Sequence, residues 1–125
     1  MTTDAPERLL VVDDTEMNRD MLSRRLRRHG YNVNVAEDGE VALASVAREK
    51  FALVLLDIEM PGLSGFDVLK TLRLTYSPSE LPVIMVTSRQ QSRSIVDALS
   101  AGANDYITKP IDFAVAIARI ETQLS

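Results

Sequence analysis

The sequence predicts an α/β domain: a doubly wound five-stranded parallel sheet in strand order 2-1-3-4-5, with five helices. Three observations carry that prediction. Short apolar runs alternate five times with segments of helical period across the 125 residues, the pattern of parallel strands joined by right-handed helical crossovers. Two of the runs, Ala52 to Leu56 (ALVLL) and Val83 to Val86 (VIMV), are apolar without interruption, as strands buried on both faces are. The first of these stops on a carboxylate, Asp57, and the turn residues Met60-Pro61-Gly62 and Gly65 follow, so the chain leaves the sheet where Asp57 projects from it.

Taken in order, Arg8 to Asp13 (RLLVVD) reads as the first strand, ending on the acids Asp13 and Asp14. From Thr15 to His29, Met17, Met21, Leu22 and Leu26 recur at helical spacing, and Gly30 is placed as the stop, so this helix is expected to lay that stripe on the sheet. Asn32 to Ala36 (NVNVA) alternates as an edge strand with one exposed face would. Asp38 caps a second helix whose inner face is marked by Leu43, Val46 and Ala47. After the third strand, Ser64 caps a helix that turns Phe66, Leu69 and Leu72 inward and runs to about Leu74, and TYSPSELP is a loop. The fourth strand ends on two hydroxyls, Thr87 and Ser88; Ile95, Ala98 and Leu99 mark a fourth helix closed by Gly102. Tyr106 to Thr108 is a short fifth strand running into Lys109-Pro110. From the cap Asp112, Phe113, Ala116, Ile117, Ile120 and Leu124 form the cleanest amphipathic stripe in the chain.

Composition narrows the function classes. The length fits one domain over residues 1–125, long enough for a hydrophobic core. No apolar run reaches the length of a membrane span, and MTTDAPER at the start has neither the basic segment nor the apolar core of a secretory signal. With no cysteine, disulfide, thiol and zinc-thiolate chemistry are excluded, and a cytoplasmic location is expected. A net charge of −4 argues against nucleic acid as a direct partner, because phosphate backbones call for a basic face.

In an open sheet of this order the crevice lies where the chain direction reverses, between strands one and three, at their carboxyl ends. That brings Asp13, Asp14 and Asp57 together. Three carboxylates without a counter-charge repel one another, so a cation is required. Magnesium, or manganese, suits such hard oxygen ligands, since it needs only one or two protein carboxylates beside waters and a phosphate oxygen. Lys109 at the end of strand five adds a permanent positive charge, and Thr87 at the end of strand four adds a hydroxyl donor. An exposed carboxylate nucleophile, a metal, a lysine and a hydroxyl form a constellation suited to making an aspartyl phosphate on Asp57.

From VVDD through LLDIEMPGLSG and MVTS to YITKP, in that order and spacing, the chain resembles the receiver domain of two-component response regulators over essentially its whole length. The resemblance implies the flavodoxin-like receiver fold and assigns Asp57 as phosphoacceptor. Asp13, Asp14 and Asp57 would then hold the metal together with the backbone carbonyl of Glu59; the Glu59 side chain could bias hydrolysis, approach the metal or lie in solvent, and the carbonyl alone is the favoured reading. It implies that Lys109 binds a phosphoryl oxygen, that the bond before Pro110 is cis, and that Thr87 and Tyr106 form a switch: Thr87 moves toward the phosphoryl group and the Tyr106 ring turns inward. The small Ser88 is expected to leave the site open.

The partners implied are a sensor histidine kinase or histidine phosphotransfer protein. Beyond these stand an output domain or downstream protein reached through the helix 4, strand 5, helix 5 face, with Arg89 and Arg93 as contact candidates, and a phosphorylation-linked homodimer. Self-phosphorylation and self-dephosphorylation would be weak, so the domain is a switch rather than a metabolic enzyme, either alone or as the N-terminal part of a longer regulator. The basic cluster Arg24, Arg25, Arg27 and Arg28 complements the helix dipole and leaves two readings open, a solvated face and a dock for a histidine-bearing helix. His29, beside Gly30, reads as a cap or surface residue.

Two other functions fit an α/β sheet less well. A haloacid-dehalogenase-like phosphatase places its nucleophile after strand one in a DxDx pattern, whereas Asp13-Asp14-Thr15-Glu16 has no second aspartate two residues on. A flavodoxin-like flavin carrier needs a phosphate loop after strand one, where Asp13 and Asp14 would repel phosphate, and no glycine-rich nucleotide loop is present.

Overall fold

The structure, a computed structural model, describes residues 6–88 and 92–125, with the side chains of residues 92–94 left aside; Arg89 and the Arg93 side chain therefore fall outside the described residues. The elements run β1 (Arg8–Val12), α1 (Glu16–Arg28), β2 (Asn32–Ala36), α2 (Gly39–Arg48), β3 (Leu53–Asp57), α3 (Gly65–Thr75), β4 (Val83–Thr87), α4 (Ser92–Ser100), β5 (Asp105–Thr108) and α5 (Phe113–Leu124). All strand pairs are parallel and the order is β2-β1-β3-β4-β5, as the sequence predicts.

Strand side chains alternate between the two faces, and the alternation divides the core in two. Leu9, Val11, Leu53, Leu55, Ile84, Val86 and Ile107 point to one face and meet Leu26 of α1 and Ala116, Ile117 and Ile120 of α5. Leu10, Val12, Val54, Leu56, Val83 and Met85 point to the other and meet Ala42 and Val46 of α2, Val68, Leu69 and Leu72 of α3, and Ala98 of α4. Because β1, β3 and β4 are buried on both faces, their sequences show uninterrupted apolar runs.

The caps follow from residue chemistry. The Asp38 carboxylate accepts from Val41 N at 2.8 Å. Ser64 and Asp67 form a reciprocal capping box at the start of α3, and Asp112 accepts from Ala114 N. At the far end of the sheet, Arg73 of α3 stitches three segments together. Its Nε donates to Gly102 O at 2.9 Å, Nη1 to Leu81 O at 2.9 Å and Nη2 to Asn104 Oδ1 at 3.0 Å.

The packing corrects several expectations. Met17 and Met21 are 75% and 57% exposed, so α1 is held by Leu26, Ser23 and part of Leu22 rather than by the whole predicted stripe. Ala47 is exposed while Ala42, Ser45 and Val46 are buried, and Leu99 is exposed beside a buried Ala98. Helical period identifies a stripe, but neighbouring elements decide how much of it is covered. β5 begins one residue earlier than expected, at Asp105, and β3 runs one residue further, to include Asp57.

Candidate functional site

The same alternation that sorts the core also builds the site. Asp13 continues the parity of Leu9 and Val11, Asp57 that of Leu53 and Leu55, and Lys109 that of Ile107, so all three leave the carboxyl edge of the sheet toward the α1 and α5 side. One carboxylate oxygen from each of Asp13, Asp14 and Asp57 lies within 4.8 Å of the other two. Lys109 Nζ reaches Asp57 Oδ2 at 3.1 Å and stands 3.9 Å from Asp13 Oδ2. Asp57 is 1% exposed and Asp13 6%, while Asp14 is exposed at the rim. Hydrogen bonds fix the orientation of the two buried acids: Thr15 N donates to Asp13 Oδ1 at 2.8 Å, and Glu59 N to Asp57 Oδ1 at 3.2 Å.

The backbone around Asp57 is braced on both sides. Ile58 N donates to Val86 O, Lys109 N donates to Thr87 O, and Gly65 N returns to Ile58 O. Gly65 lies so close to this segment that a Cβ would overlap the Asp57 carbonyl oxygen and press on Ile58 Cα, both of them backbone atoms. The Lys109-Pro110 peptide bond is cis.

Electrostatics follow from burial. Desolvation raises the Asp57 carboxyl to about 6, with Asp13 adding to the rise, while Lys109 and the Glu59 N–H oppose it. Desolvation alone would lower Lys109, but the Asp57 hydrogen bond and the charges of Asp57, Asp13 and Glu59 reverse this and raise it. Lys109 therefore stays charged at neutral pH and is ion-paired with both buried carboxylates.

Thr87 and Glu59 form a second group beside the first. The Thr87 hydroxyl, on a residue 1% exposed, donates to Glu59 Oε2 at 2.8 Å. Ser88 donates to Glu59 Oε1 through both its N–H and its hydroxyl, at 3.0 Å each. Burial would raise the Glu59 carboxyl, but Ser88, Thr87 and Lys109 together hold it below its ordinary range. The sequence reading favoured the Glu59 carbonyl alone, whereas its side chain accepts from the hydroxyl at the end of β4. No sequence signal foretells this, because the direction of a loop side chain depends on how the loop closes.

Tyr106 stands apart from the acids, partly buried against the α2, α3 and α4 side of the core. The Arg119 guanidinium lies 5.5 Å from its ring centroid and also pairs with Asp105 at 2.9 Å. Of the basic cluster on α1, Arg24 pairs with Asp20, Arg25 lies over the Phe113 ring at 4.4 Å, and Arg27 donates to Val33 O at 2.8 Å. His29 is the C-cap of α1 and stacks on Tyr31. A cleft of about 240 Å³ opens beside Lys109, lined by Asp13, Met21, Leu22, Arg25, Pro110 and Phe113 among others.

A fold of this topology with an acid cluster and lysine at its switch point defines a class, and comparison with known proteins identifies it. A family model of the response regulator receiver domain matches residues 9–121, and the chain belongs to that family. The sensory transduction protein RegX3 of Mycobacterium tuberculosis is 44% identical over 116 residues, which is 93% of this chain and 50% of that protein. The chemotaxis protein CheY4 of Vibrio cholerae has a similar structure, with a TM-score of 0.90 at 28% identity, covering 96% of this chain and 100% of that one. The response regulator TrrA of Thermotoga maritima, solved in complex with Mg2+-BeF, gives 0.84 at 33% identity over 94% and 99% of the two chains. The chain spans between a quarter and about half the length of the curated relatives it matches. It is thus a receiver domain of two-component signal transduction, and the phosphatase and flavin-carrier readings give way to that family. No described helix is long and apolar enough to cross a membrane.

Proposed function

We propose that Asp57 is the phosphoacceptor of this receiver. The observation that carries this reading is a buried carboxylate at the carboxyl end of the central strand, held 3.1 Å from a lysine and within reach of two further acids. The donor set of Asp13, Asp14 and Asp57 is all hard oxygen and carries more negative charge than Lys109 offsets, which fits a magnesium or manganese ion; these three, with the Glu59 carbonyl, would hold it. Such an ion supplies charge neutralisation to phosphoryl oxygens when bound.

The protein's own groups account for the rest. An Asp57 carboxylate oxygen attacks phosphorus and forms the P–O bond. The P–N bond to a partner's histidine breaks and its electron pair returns to the imidazole, so no oxidant or further reactant is needed. Lys109, whose ammonium now serves Asp57, turns to a phosphoryl oxygen. Thr87 donates its hydroxyl to another, and Tyr106, on the neighbouring strand, repacks in response. The acyl phosphate is later hydrolysed by water.

The partner supplying phosphate is a histidine kinase or histidine phosphotransfer protein, which would approach over α1 and the Lys109 cleft. The readout is the α4, β5, α5 face, where Ile95, Tyr106, Val115 and Arg119 border a groove. It passes to an output domain, a downstream protein or a second copy of the chain. Residues 1–125 act as one domain in either setting. The test is the intact mass of the protein after incubation with magnesium and acetyl phosphate. One metal-dependent, base-labile phosphoryl adduct, absent from Asp57→Asn, supports the reading. An undiminished adduct in Asp57→Asn, or failure of the wild type both to gain phosphate and to bind beryllofluoride, overturns it.

A further inference from the structure

Glu59 touches both halves of the site at once. Its backbone N–H donates to Asp57 Oδ1 at 3.2 Å, and its carboxylate accepts the Thr87 hydroxyl at 2.8 Å. We infer that the Glu59 carboxylate is a latch that occupies the Thr87 hydroxyl in the resting receiver, so that Glu59 sets the balance between the unphosphorylated and phosphorylated states. This inference rests on Asp57 being the acceptor and on Thr87 serving the phosphoryl group.

Three features make the latch specific. First, a hydrogen bond to a carboxylate is roughly twice as strong as one between neutral groups, and this carboxylate collects three donors, the Thr87 hydroxyl at 2.8 Å and the Ser88 N–H and hydroxyl at 3.0 Å each. Second, the backbone on either side of the Thr87 side chain is pinned, since Val86 O accepts from Ile58 N at 2.9 Å and Thr87 O from Lys109 N at 2.8 Å. Redirecting the hydroxyl is therefore mainly a rotation about the stiff χ1 of a β-branched residue, a step between discrete wells rather than a gradual drift. Third, Ser88 holds the other carboxylate oxygen with two donors, so the Glu59 side chain is fixed in the position that receives Thr87. A phosphoryl group on Asp57 offers Thr87 competing anionic acceptors and repels the Glu59 carboxylate, so both effects act to open the same bond.

Glu59 is thus a positioning residue, acting on the phosphoryl group through Thr87. Its test is a double-mutant cycle on beryllofluoride binding with magnesium present. Glu59→Gln and Glu59→Ala are expected to tighten binding by about tenfold when Thr87 is present, the loss of one charge-assisted competitor. In the Thr87→Ala background the same substitutions should change affinity by less than about twofold, and Thr87→Ser should restore the coupling. A purely electrostatic role of Glu59, exerted through Lys109, would instead give the same gain in both backgrounds and would sink the latch. A ligand-free measurement stands beside it: three-bond carbon couplings to the Thr87 methyl should report a change in χ1 populations between the wild type and Glu59→Ala. Unchanged couplings would also overturn the inference. Failure of the wild type to bind beryllofluoride would count against the phosphoacceptor reading, while the couplings would still decide whether Glu59 holds Thr87.

Discussion

Lys109 Nζ sits 3.1 Å from Asp57 Oδ2 and 3.9 Å from Asp13 Oδ2, bridging two buried carboxylates, one just past β1 and one ending β3, that stand 44 residues apart in the chain by their numbering. The lysine is 23% exposed at its side chain and the two acids 2% and 9%, so the ammonium sits at the mouth of a largely buried acidic pocket. Replacing it removes the cation that, among the described residues, is ion-paired with both carboxylates. Lys109→Ala should lower unfolding free energy at pH 7 by about 1–3 kcal/mol, less than for a fully buried pair because water reaches the ammonium. The deficit should shrink toward pH 5 as Asp57 protonates. Urea denaturation at the two pH values checks both statements, and the variant should also lose the phosphoryl adduct.

Asp57 itself predicts a pH dependence. Its folded-state value, about 6, lies above the ordinary 3.8, so in metal-free protein the neutral carboxyl is the better tolerated form. The stability this contributes is fully present below about pH 4 and is lost as pH rises through about 6. Asp57→Asn, which is neutral throughout, should therefore be more stable than the metal-free wild type at pH 7, by about 1–3 kcal/mol, with the two converging below pH 4. Equal stabilities across the range would contradict the desolvation argument.

Divalent metal should reverse that order. An ion bound among Asp13, Asp14 and Asp57 stabilises the fold by mass action, about 2.7 kcal/mol at a hundredfold excess over its dissociation constant. Thermal melts in increasing magnesium should rise for the wild type and stay flat for Asp13→Asn combined with Asp57→Asn. The rise should weaken below pH 6, because protons compete for the ligands.

Arg73 tests stability away from the site. Its guanidinium serves Gly102 O, Leu81 O and Asn104 Oδ1, and Gly102 has φ +104°, a conformation that suits glycine. Arg73→Ala should cost about 2–4 kcal/mol by leaving these acceptors without their shared donor, and Arg73→Lys should recover only part of that, since an ammonium cannot span the fork. Phosphoryl adduct formation at a temperature where the variant is folded should be unchanged. A large loss of adduct would mean that this end of the sheet is coupled to Asp57.

What the sequence by itself determined was the order of elements, the parallel pairing, and the identity of the acids and the lysine at the carboxyl edge. These follow from local physics: strand and helix periods differ, turn residues mark the exits, and a β-strand carries position into direction with a period of two, so Asp13, Asp57 and Lys109 were fixed to one side once their strands were. The tertiary structure alone decided which parts of each stripe are covered, leaving Met17 and Met21 exposed on α1, and where the loop side chains point. Glu59 is the clearest case. A carboxylate two residues beyond a strand can face solvent, a metal or a neighbouring hydroxyl, and only the closure of the β3–α3 loop against the end of β4 brings it to Thr87 and Ser88. Periodicity is written into a segment, whereas a contact between two loops depends on the backbone geometry of both at once.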